Sequence, residues 1–340
     1  MNATRAALSA VLDGVTLSCE DARAVLGEVM DGVVPPALLG ALLIALRVRG
    51  ETTEELTGFV LAMRARVIPV EAPAGAIDTC GTGGDVHSTF NISTAAALVA
   101  AAAGAPVAKH GNRAVTSDSG SSDVIEALGL AVEQAPAEAA QALRDLGFCF
   151  LHAPAFHPGM RHAGPVRREL GVRTFFNLVG PLVNPAGVRR QLVGVAEPGA
   201  AERVAQVLLR LGVDRAFVVY GDRVDELPLD GSGVILDVSP AGIQRHKVDP
   251  PALGLASAPT ASLTGRSPTD NGRLIEGILE GRLAGPSRDV VALNSGAALV
   301  VAGLATGLAE GVGIALETIA SGRANDLLMA LRARRQARVG

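Results

Sequence analysis

Residues 76–108 read AIDTCGTGGDVHSTFNISTAAALVAAAAGAPVA, and this stretch decides the fold. Short apolar segments at 76–80 and 107–108 favour β-strands, and the Ala-rich run between them favours a buried helix. A strand, a glycine-rich loop, a helix and a further strand form the unit from which parallel sheets are built. Apolar segments at 191–195 and 215–220 continue the alternation. We therefore predict a mostly parallel central sheet.

The chain before residue 69 has a different pattern, because helical periodicity runs through all of it. Ser18 with Asp21, and Thr52 with Glu55, are typical of helix N-termini, and Pro35–Pro36 marks another helix start. This part of the chain predicts a small helical bundle.

Helix-favouring sequence returns at residues 160–169 among the strands, and residues 290–320 and 322–335 predict further helices. We predict an α/β protein with a small, discontinuous helical domain beside a larger α/β domain. The helical domain would span residues 1–70 and be completed by about 160–187. The α/β domain would span 74–159 and 188–340.

Composition limits the classes of function. The chain has 340 residues, 49% of them hydrophobic and 19% charged, which is typical of a globular protein with a large core. A net charge of −4 provides no basic field for a nucleic-acid backbone, so no nucleic-acid partner is expected. Cys19, Cys80 and Cys149 are odd in number and widely spaced, which favours a reducing cytoplasm. No segment reads as a signal peptide or a membrane span.

The loop at 81–85 and the polar segment at 89–94 indicate a phosphate site. Glycines let backbone amides approach an anion closely, and the start of the Ala-rich helix offers free N–H groups and a favourable dipole. The alternative is a tight turn with Ser93 or Thr94 as a simple helix cap. Neither a Walker loop nor a Gly-x-Gly-x-x-Gly fingerprint is present.

Two further segments carry polar groups where a predicted strand ends. Residues 109–117, followed by Ser121, concentrate donors around Lys109, which suits a phosphate; the alternative is a solvated loop with Ser121 as a helix cap. Asp225 and Glu226 follow the strand at 215–220, and adjacent carboxylates suit Mg²⁺. The alternative for this acidic pair is a solvated surface loop.

Taken in order, six sets of residues resemble the anthranilate phosphoribosyltransferase family over nearly the whole chain. They are Gly81–Asp85, Thr89–Thr94, Lys109–Arg113, Arg167–Gly171, the series Asn177–Leu178, Gly180–Leu182 and Asn184–Pro185, and Asp225–Glu226. The resemblance implies a cleft between the two domains and a homodimer formed through the helical domain. It also implies transfer of the phosphoribosyl group of phosphoribosyl pyrophosphate to anthranilate, the second step of tryptophan synthesis from chorismate.

The resemblance also implies roles for individual residues. Magnesium, as two ions per site, would be held by Ser93, Asp225 and Glu226. Anthranilate would be bound by Gly81, Asn112 and Arg167, with His110, Pro154 and His157 lining its approach. Phosphoribosyl pyrophosphate would be bound by Gly81, Gly84, Asp85, Thr89, Asn91, Ile92, Ser93, Thr94, Lys109, His110, Gly111, Asn112, Arg113, Ala114, Val115, Thr116, Ser117 and Ser121.

The planar fork of Arg167 suits the carboxylate of anthranilate; the alternative for it is a surface ion pair with Glu169. The alternative for His157 is a turn residue with satisfied hydrogen bonds. An arylamine is unprotonated near neutral pH, so we assign no general base.

The chain departs from the family pattern at Val86, His87, Pro228 and Asn271–Gly272. Two other functions compete with the transferase: a pyrimidine nucleoside phosphorylase of the same fold, and an inactive relative that binds nucleic acid.

Overall fold

The computed structural model describes residues 3–113 and 119–339, a range in which helices and strands alternate. The helices are α1 (Ala3–Leu12), α2 (Cys19–Met30), α3 (Pro36–Arg49), α4 (Thr53–Arg64), α5 (Ile92–Ala102), α6 (Ser121–Ala127), α7 (Pro136–Leu146), α8 (Ala153–Phe156), α9 (Met160–Leu170), α10 (Phe175–Val179), α11 (Pro198–Arg210), α12 (Pro268–Leu279), α13 (Pro286–Ala302), α14 (Leu308–Ala320) and α15 (Arg323–Val339). The strands are β1 (Ile77–Gly81), β2 (Val107–Gly111), β3 (Phe148–His152), β4 (Arg190–Gly194), β5 (Arg215–Tyr220), β6 (Val234–Ser239) and β7 (Gly242–Lys247).

All seven strands form one sheet in the order β3-β2-β1-β4-β5-β6-β7. The first five are parallel to their neighbours, whereas β6 and β7 add an antiparallel edge. This arrangement confirms the predicted fold class. The strands β1, β2, β4 and β5 were predicted within a few residues, but β3, β6 and β7 were not predicted.

The N-terminal helices pack into a bundle to which a later part of the chain returns. α9 packs against α2 and α3, and α10 packs against α3 and α4. The rings of Phe59 in α4 and Phe175 in α10 stack with their centroids 4.0 Å apart. Ser18 and Thr52 cap their helices as the sequence predicts, the latter in a full capping box with Glu55. The chain therefore returns to the N-terminal helices at α9 and α10, after β3.

The sheet is covered on both faces, so side chains along each strand alternate between buried clusters on opposite sides. Leu192, Phe217 and Val219 point toward the Ala-rich helices α5 and α13, whereas Val193 and Val218 point toward α11 and the bundle. Small residues let the helices approach closely. In the described part of the chain, no helix combines the length and the apolar character needed to cross a membrane.

Candidate active site at the carboxyl edge of the sheet

The site lies where the chain changes direction within the sheet. After β1 the chain builds β2 and β3 on one side, and β4 then pairs with the other side of β1. Loops leaving neighbouring strands in opposite directions open a crevice at the carboxyl ends of those strands, where ligands bind in open α/β sheets. The glycine-rich loop after β1, the polar segment after β2 and the Asp225–Glu226 loop after β5 all lie at this edge.

Two strands that meet at this edge end in glycine because another chain segment approaches them. A β-carbon at Gly81 would overlap the Asp225 carboxylate, and one at Gly194 would overlap the Asp225 backbone carbonyl. Because both glycines lack a β-carbon, Asp225 can lie directly against the ends of β1 and β4. The sequence analysis did not identify Gly194, although a glycine ending a predicted strand is a usable signal of close backbone approach.

The glycine-rich loop has a fixed backbone conformation. Gly83 and Gly84 both have positive φ, at 68° and 91°, a region that residues with a β-carbon rarely adopt. The Gly83 N–H donates to Asp225 Oδ2 at 2.7 Å. The Asp85 carboxylate accepts from the backbone N–H groups of His87 and Thr89, both at 2.7 Å, and from the Thr89 hydroxyl at 2.6 Å. Asp85 and Thr89 therefore shape the loop.

The N-terminus of α5 meets the acidic pair. The Ser93 N–H, in the first turn of the helix, donates to Glu226 Oε1 at 3.0 Å. Lys109 is 1% exposed, and its ammonium donates to the Thr79 carbonyl at 2.5 Å and to Ser93 Oγ at 3.4 Å. The alternative in which Ser93 or Thr94 caps the helix is wrong, since Asn91 holds the cap position.

Burial shifts the acid–base properties of these groups. It raises the pKa of Glu226 to about 8, and the adjacent Asp225 adds to the increase. It also raises the pKa of Asp225, against which the Gly83 N–H and the positive charge of Arg173 act. Burial lowers the pKa of Lys109, opposed by the negative charge of Asp78. Two buried carboxylates repel each other when both are ionised. A divalent cation bound between them removes this repulsion, so the pair is suited to bind one.

The donor atoms at this point are hard oxygens: two carboxylates and the Ser93 hydroxyl. Within residues 3–113 and 119–339, no group of three or more His, Cys, Asp or Glu side chains has the arrangement of a complete metal site. Mg²⁺ commonly takes one or two carboxylates and completes its shell with water and substrate phosphates. The residues present fit that ion.

A cavity of about 800 Å³ opens from this edge toward the bundle and contains the residues predicted for the acceptor. Its wall includes Gly81, His110, Asn112, Pro154, His157 and Arg167. Helix α9 supplies Arg167 and α10 supplies Phe176, so the bundle side closes the cavity. The structure therefore brings the predicted acceptor residues together.

Arg167 has no anionic partner in the part of the chain that the structure describes. Its guanidinium lies 4.9 Å from the centroid of the Phe176 ring, and burial lowers its pKa. The alternative ion pair with Glu169 is absent, and within the described ranges Arg167 takes part in no salt bridge. A half-buried guanidinium without an ion pair is suited to receive a carboxylate.

Two histidines of the cavity wall are buried and neutral. Burial lowers the pKa of His110 to about 3 and that of His157 to about 4, and a hydrogen bond to the backbone of Gly180 or Val183 opposes each decrease. Their ring centroids are 5.2 Å apart, and the Nε2 atom of each ring lacks a hydrogen-bond partner among the described residues. His157 is thus not a turn residue with satisfied hydrogen bonds.

The remaining predicted residues lie around the phosphate side. Asn91 accepts from Ser119 Oγ at 3.0 Å and donates to the Ser119 carbonyl at 3.1 Å. Ser121 begins α6 behind the cap residue Gly120, so its alternative role as the cap is wrong. Ser121 Oγ approaches the carbonyl of Asn112 at 3.3 Å, and Arg113 pairs with Asp123 and Glu126. Ala114, Val115, Thr116 and Ser117 lie outside the described residues.

A buried polar pair supports the strands beneath the site. Asp78 accepts from the Asn184 side chain at 2.8 Å and from the His110 N–H at 3.1 Å, and burial raises its pKa to about 6. Asn184 also donates to the Ala108 carbonyl at 2.8 Å. These contacts fix the ends of β1 and β2 relative to the turn that carries Asn184.

Known proteins share both parts of this architecture. A family model described as "Glycosyl transferase family, helical bundle domain" matches residues 5–67, and one described as "Glycosyl transferase family, a/b domain" matches residues 74–325. The fold is that of a two-domain glycosyltransferase, and the chain is an enzyme of that class. The anthranilate phosphoribosyltransferase of Herpetosiphon aurantiacus is 46% identical over 324 residues, which cover 95% of this chain and 96% of that protein. The chain belongs to the anthranilate phosphoribosyltransferase family.

Solved structures agree over the full length. The anthranilate phosphoribosyltransferase of Thermus thermophilus has a TM-score of 0.91 and 43% identity, covering 98% of this chain and 99% of that one. The Saccharomyces cerevisiae enzyme in complex with PRPP and Mg has a TM-score of 0.88 and 27% identity, with 97% of each chain covered. The same yeast enzyme in complex with 4-fluoroanthranilate has a TM-score of 0.86 and 26% identity, again with 97% of each chain covered.

Proposed function

We propose that the chain transfers the phosphoribosyl group of phosphoribosyl pyrophosphate to anthranilate, giving N-(5-phosphoribosyl)anthranilate and pyrophosphate, in the tryptophan pathway. The observation that carries this proposal is Arg167, a guanidinium with no ion pair to the described residues, on a cavity that opens beside a phosphate-type loop. One end of the crevice suits a polyanion and the other suits a small aromatic acid. The yeast relative bound to PRPP and Mg and the one bound to 4-fluoroanthranilate support the same pairing.

Phosphoribosyl pyrophosphate would bind at the loop 81–85, the first turn of α5 and the segment that begins with Lys109. The dipole of α5 and the buried ammonium of Lys109 both favour a phosphate there. Asn91 and Thr89 fix the backbone around the phosphates. We also propose that Ser121 and residues 109–117 contact the bound phosphoribosyl pyrophosphate.

Magnesium, proposed as two ions, would be held by Asp225, Glu226 and Ser93. When bound, it supplies positive charge that stabilises the departing pyrophosphate. The chain's own part is to seat Asp225 on the glycine ends of β1 and β4 and to hold Glu226 against the Ser93 N–H.

Anthranilate would bind through its carboxylate to Arg167, with Asn112, Gly81 and Pro154 around it. The bond between C1 of the ribose and the pyrophosphate oxygen breaks, the bond between C1 and the anthranilate nitrogen forms, and that nitrogen then loses one proton. We assign no general base. The pKa of His110, about 3, makes its ring a weak proton acceptor at neutral pH. Placement of the two reactants would supply most of the rate enhancement.

We also propose that the protein is a homodimer that associates through the helical domain. Large apolar side chains are exposed on the bundle: Leu12 is 70%, Val15 54% and Val48 82% accessible. Contiguous exposed apolar surface marks association sites, and we propose that these three side chains belong to one. We further propose a cytoplasmic location, which fits the free thiols of Cys19, Cys80 and Cys149.

The test is the loss of anthranilate fluorescence with purified protein, phosphoribosyl pyrophosphate and magnesium, and with each component omitted in turn. Loss that needs all three supports the proposal. Arg167→Met should raise the KM for anthranilate at least about tenfold, because a charged hydrogen bond contributes roughly 1.5–3 kcal/mol. Arg23→Met is the matched control, since Arg23 is exposed on α2 and does not line the cavity.

Two outcomes would overturn the proposal. Release of uracil or thymine from nucleosides in the presence of phosphate, without use of anthranilate, would identify a nucleoside phosphorylase. An Arg167→Met variant with the anthranilate KM of the Arg23→Met variant would show that the acceptor carboxylate binds elsewhere.

A further inference from the structure

The glycine-rich loop is held on two sides, by different parts of the chain. On the sheet side, the Thr82 N–H donates to the Gly194 carbonyl at 2.9 Å and the Gly83 N–H donates to Asp225. On the opposite side lies Arg173, whose Nη2 donates to the Thr82 carbonyl at 3.2 Å. Its Nη1 packs on Gly84 so closely that a β-carbon at residue 84 would overlap the guanidinium. Arg173 therefore covers the face of the loop that the sheet does not reach.

The conformation of this loop needs external support. Gly83 and Gly84 are consecutive glycines with positive φ, and glycine has more alternative backbone conformations than any other residue. A loop that binds through backbone N–H groups is effective only if those groups already point at the ligand. Each contact that removes an alternative conformation therefore strengthens binding of the ligand.

The position of Arg173 in the chain gives this contact a second consequence. Arg173 is two residues before α10, which packs on the bundle through the Phe59–Phe175 stack. Phe176 and Asn177 of the same helix line the acceptor cavity. Arg173 thus joins the phosphate-type loop to the wall of the acceptor cavity.

The guanidinium has no competing ionic role. Within the described ranges, Arg173 forms no salt bridge and its one hydrogen bond goes to Thr82. Arg173 also borders a cavity of about 50 Å³ shared with Arg47, Arg203, Glu51 and Glu197. This cavity is too small and too mixed in charge for an anion of substrate size.

We propose that Arg173 is a positioning residue for phosphoribosyl pyrophosphate: it clamps residues 82–84 in the conformation that presents the Gly84 N–H to the ligand, the N–H groups of Thr82 and Gly83 being bonded to Gly194 and Asp225. This inference rests on the proposed function. It assigns a role to a side chain that the local sequence pattern does not mark, since Arg173 and Thr82 are 91 positions apart.

The test compares three variants. Arg173→Met removes the donors and keeps the length, Arg173→Lys keeps the charge and one donor, and Arg203→Met is the control. Arg203 borders the same small cavity from α11 but makes no hydrogen bond to residues 81–85, all of which the structure describes. Measurements are the KM for each substrate, kcat, the melting temperature, and the affinity for phosphoribosyl pyrophosphate with magnesium by calorimetry.

Arg173→Met should raise the KM and the dissociation constant for phosphoribosyl pyrophosphate about tenfold, which is the loss expected for one charged hydrogen bond. The KM for anthranilate and kcat should change less than about twofold, and Arg173→Lys should recover much of the affinity. Arg203→Met should behave like the wild type.

Equal affinities in Arg173→Met and Arg203→Met would overturn the inference. So would a loss in Arg173→Met that falls equally on both KM values and kcat with a lower melting temperature, because that pattern indicates general destabilisation. If the wild-type protein binds phosphoribosyl pyrophosphate but transfers nothing to anthranilate, the proposed function fails while the calorimetric comparison still decides the role of Arg173.

Discussion

At the scale of single residues, the proposed role of Glu226 as a magnesium ligand would link protonation to metal binding. Because its pKa is about 8, most of the metal-free protein carries a proton on this carboxylate at pH 7. A metal ligand must be deprotonated, so magnesium binding should release a proton, and the affinity should fall up to about tenfold per pH unit below pH 8. Calorimetric magnesium titrations at pH 6.5 and 8, in buffers of different ionisation enthalpy, measure both effects. Glu226→Gln should lose the proton release; release that survives this substitution would point to another group.

Gly194 is a second residue at which a small change should have a large effect. A β-carbon there would overlap the Asp225 carbonyl, so Gly194→Ala should displace Asp225 and lower kcat/KM by about 100-fold or more, the scale of a misplaced catalytic constellation. Gly313→Ala is the control, because nothing lies within 4 Å of a β-carbon at that helical position. Steady-state assays at saturating magnesium compare the two. Full activity in Gly194→Ala would mean that catalysis does not require Asp225 to lie against the end of β4.

Residue roles were only partly predictable from the sequence. The ordered motifs identify Lys109, Arg167 and Asp225 because each follows a strand or lies in a recognisable segment. Arg173 and Gly194 were missed because their importance comes from contacts with residues far away in sequence, Thr82 and Asp225. A local sequence pattern gives no information about contacts between residues that are far apart in the chain.

At the scale of secondary-structure elements, the capping box of α4 tests how much the helix start contributes to stability. Thr52 Oγ1 accepts from the Glu55 N–H, and Glu55 accepts in turn from the Thr52 N–H. Thr52→Ala should lower the free energy of unfolding by about 1 kcal/mol. Thr53→Ala is the neighbouring control. Denaturant titration followed by circular dichroism measures the difference, and equal midpoints for the two variants would contradict the expected role of the cap.

Burial of His110 and His157, whose rings bond to the backbone of the turn that begins at Gly180, makes the free energy of unfolding depend on pH. The folded-state pKa of His157, about 4, is below its ordinary value of 6.5. Unfolding therefore takes up a proton between those two values, so stability is full above pH 6.5 and falls as the pH decreases toward 4. The limiting slope is about 1.4 kcal/mol per pH unit for each histidine.

His157→Asn should remove the proton that His157 takes up on unfolding, so the free energy of unfolding should depend less on pH. Unfolding free energies measured at pH 5 and 7 for the wild type and the variant give the difference in slope. The raised pKa of Asp78 acts in the opposite direction in both proteins and cancels from the comparison. An unchanged slope in His157→Asn would show that folding does not lower the pKa of His157.

The strands divide into those that the sequence predicts and those that it does not. β1, β2, β4 and β5 are apolar segments between helices, as in any parallel sheet. Strand β7 reads GIQRHK and is largely exposed, so its pairing with β6 depends on backbone hydrogen bonds at the edge and leaves no apolar periodicity. Strand β3 is short and is followed at once by α8, which obscures its boundary.

At the scale of the whole molecule, the exposed apolar residues of the bundle predict an association surface. Val48 lies on α3 and is 82% accessible. A charged side chain at this position would be solvated in a monomer but buried in the proposed dimer interface. Val48→Asp should therefore shift the protein from dimer to monomer, because an unpaired buried charge costs several kcal/mol. Sedimentation velocity over a range of concentrations measures the shift. Glu54→Gln, an exposed position on α4, is the control. A wild-type protein that sediments as a monomer would remove the proposed interface.

The glycine ends of β1 and β4 also restrict how the gene can vary. At Gly81 and Gly194 the space beyond the α-carbon is already filled by Asp225, so the smallest possible addition, one methyl group, cannot be accommodated without moving the backbone. Every nucleotide change in the first two positions of those two codons replaces glycine and adds atoms where there is no room, whereas third-position changes are silent. Random mutagenesis followed by selection for growth without tryptophan should recover synonymous codons at these two positions and no other amino acid.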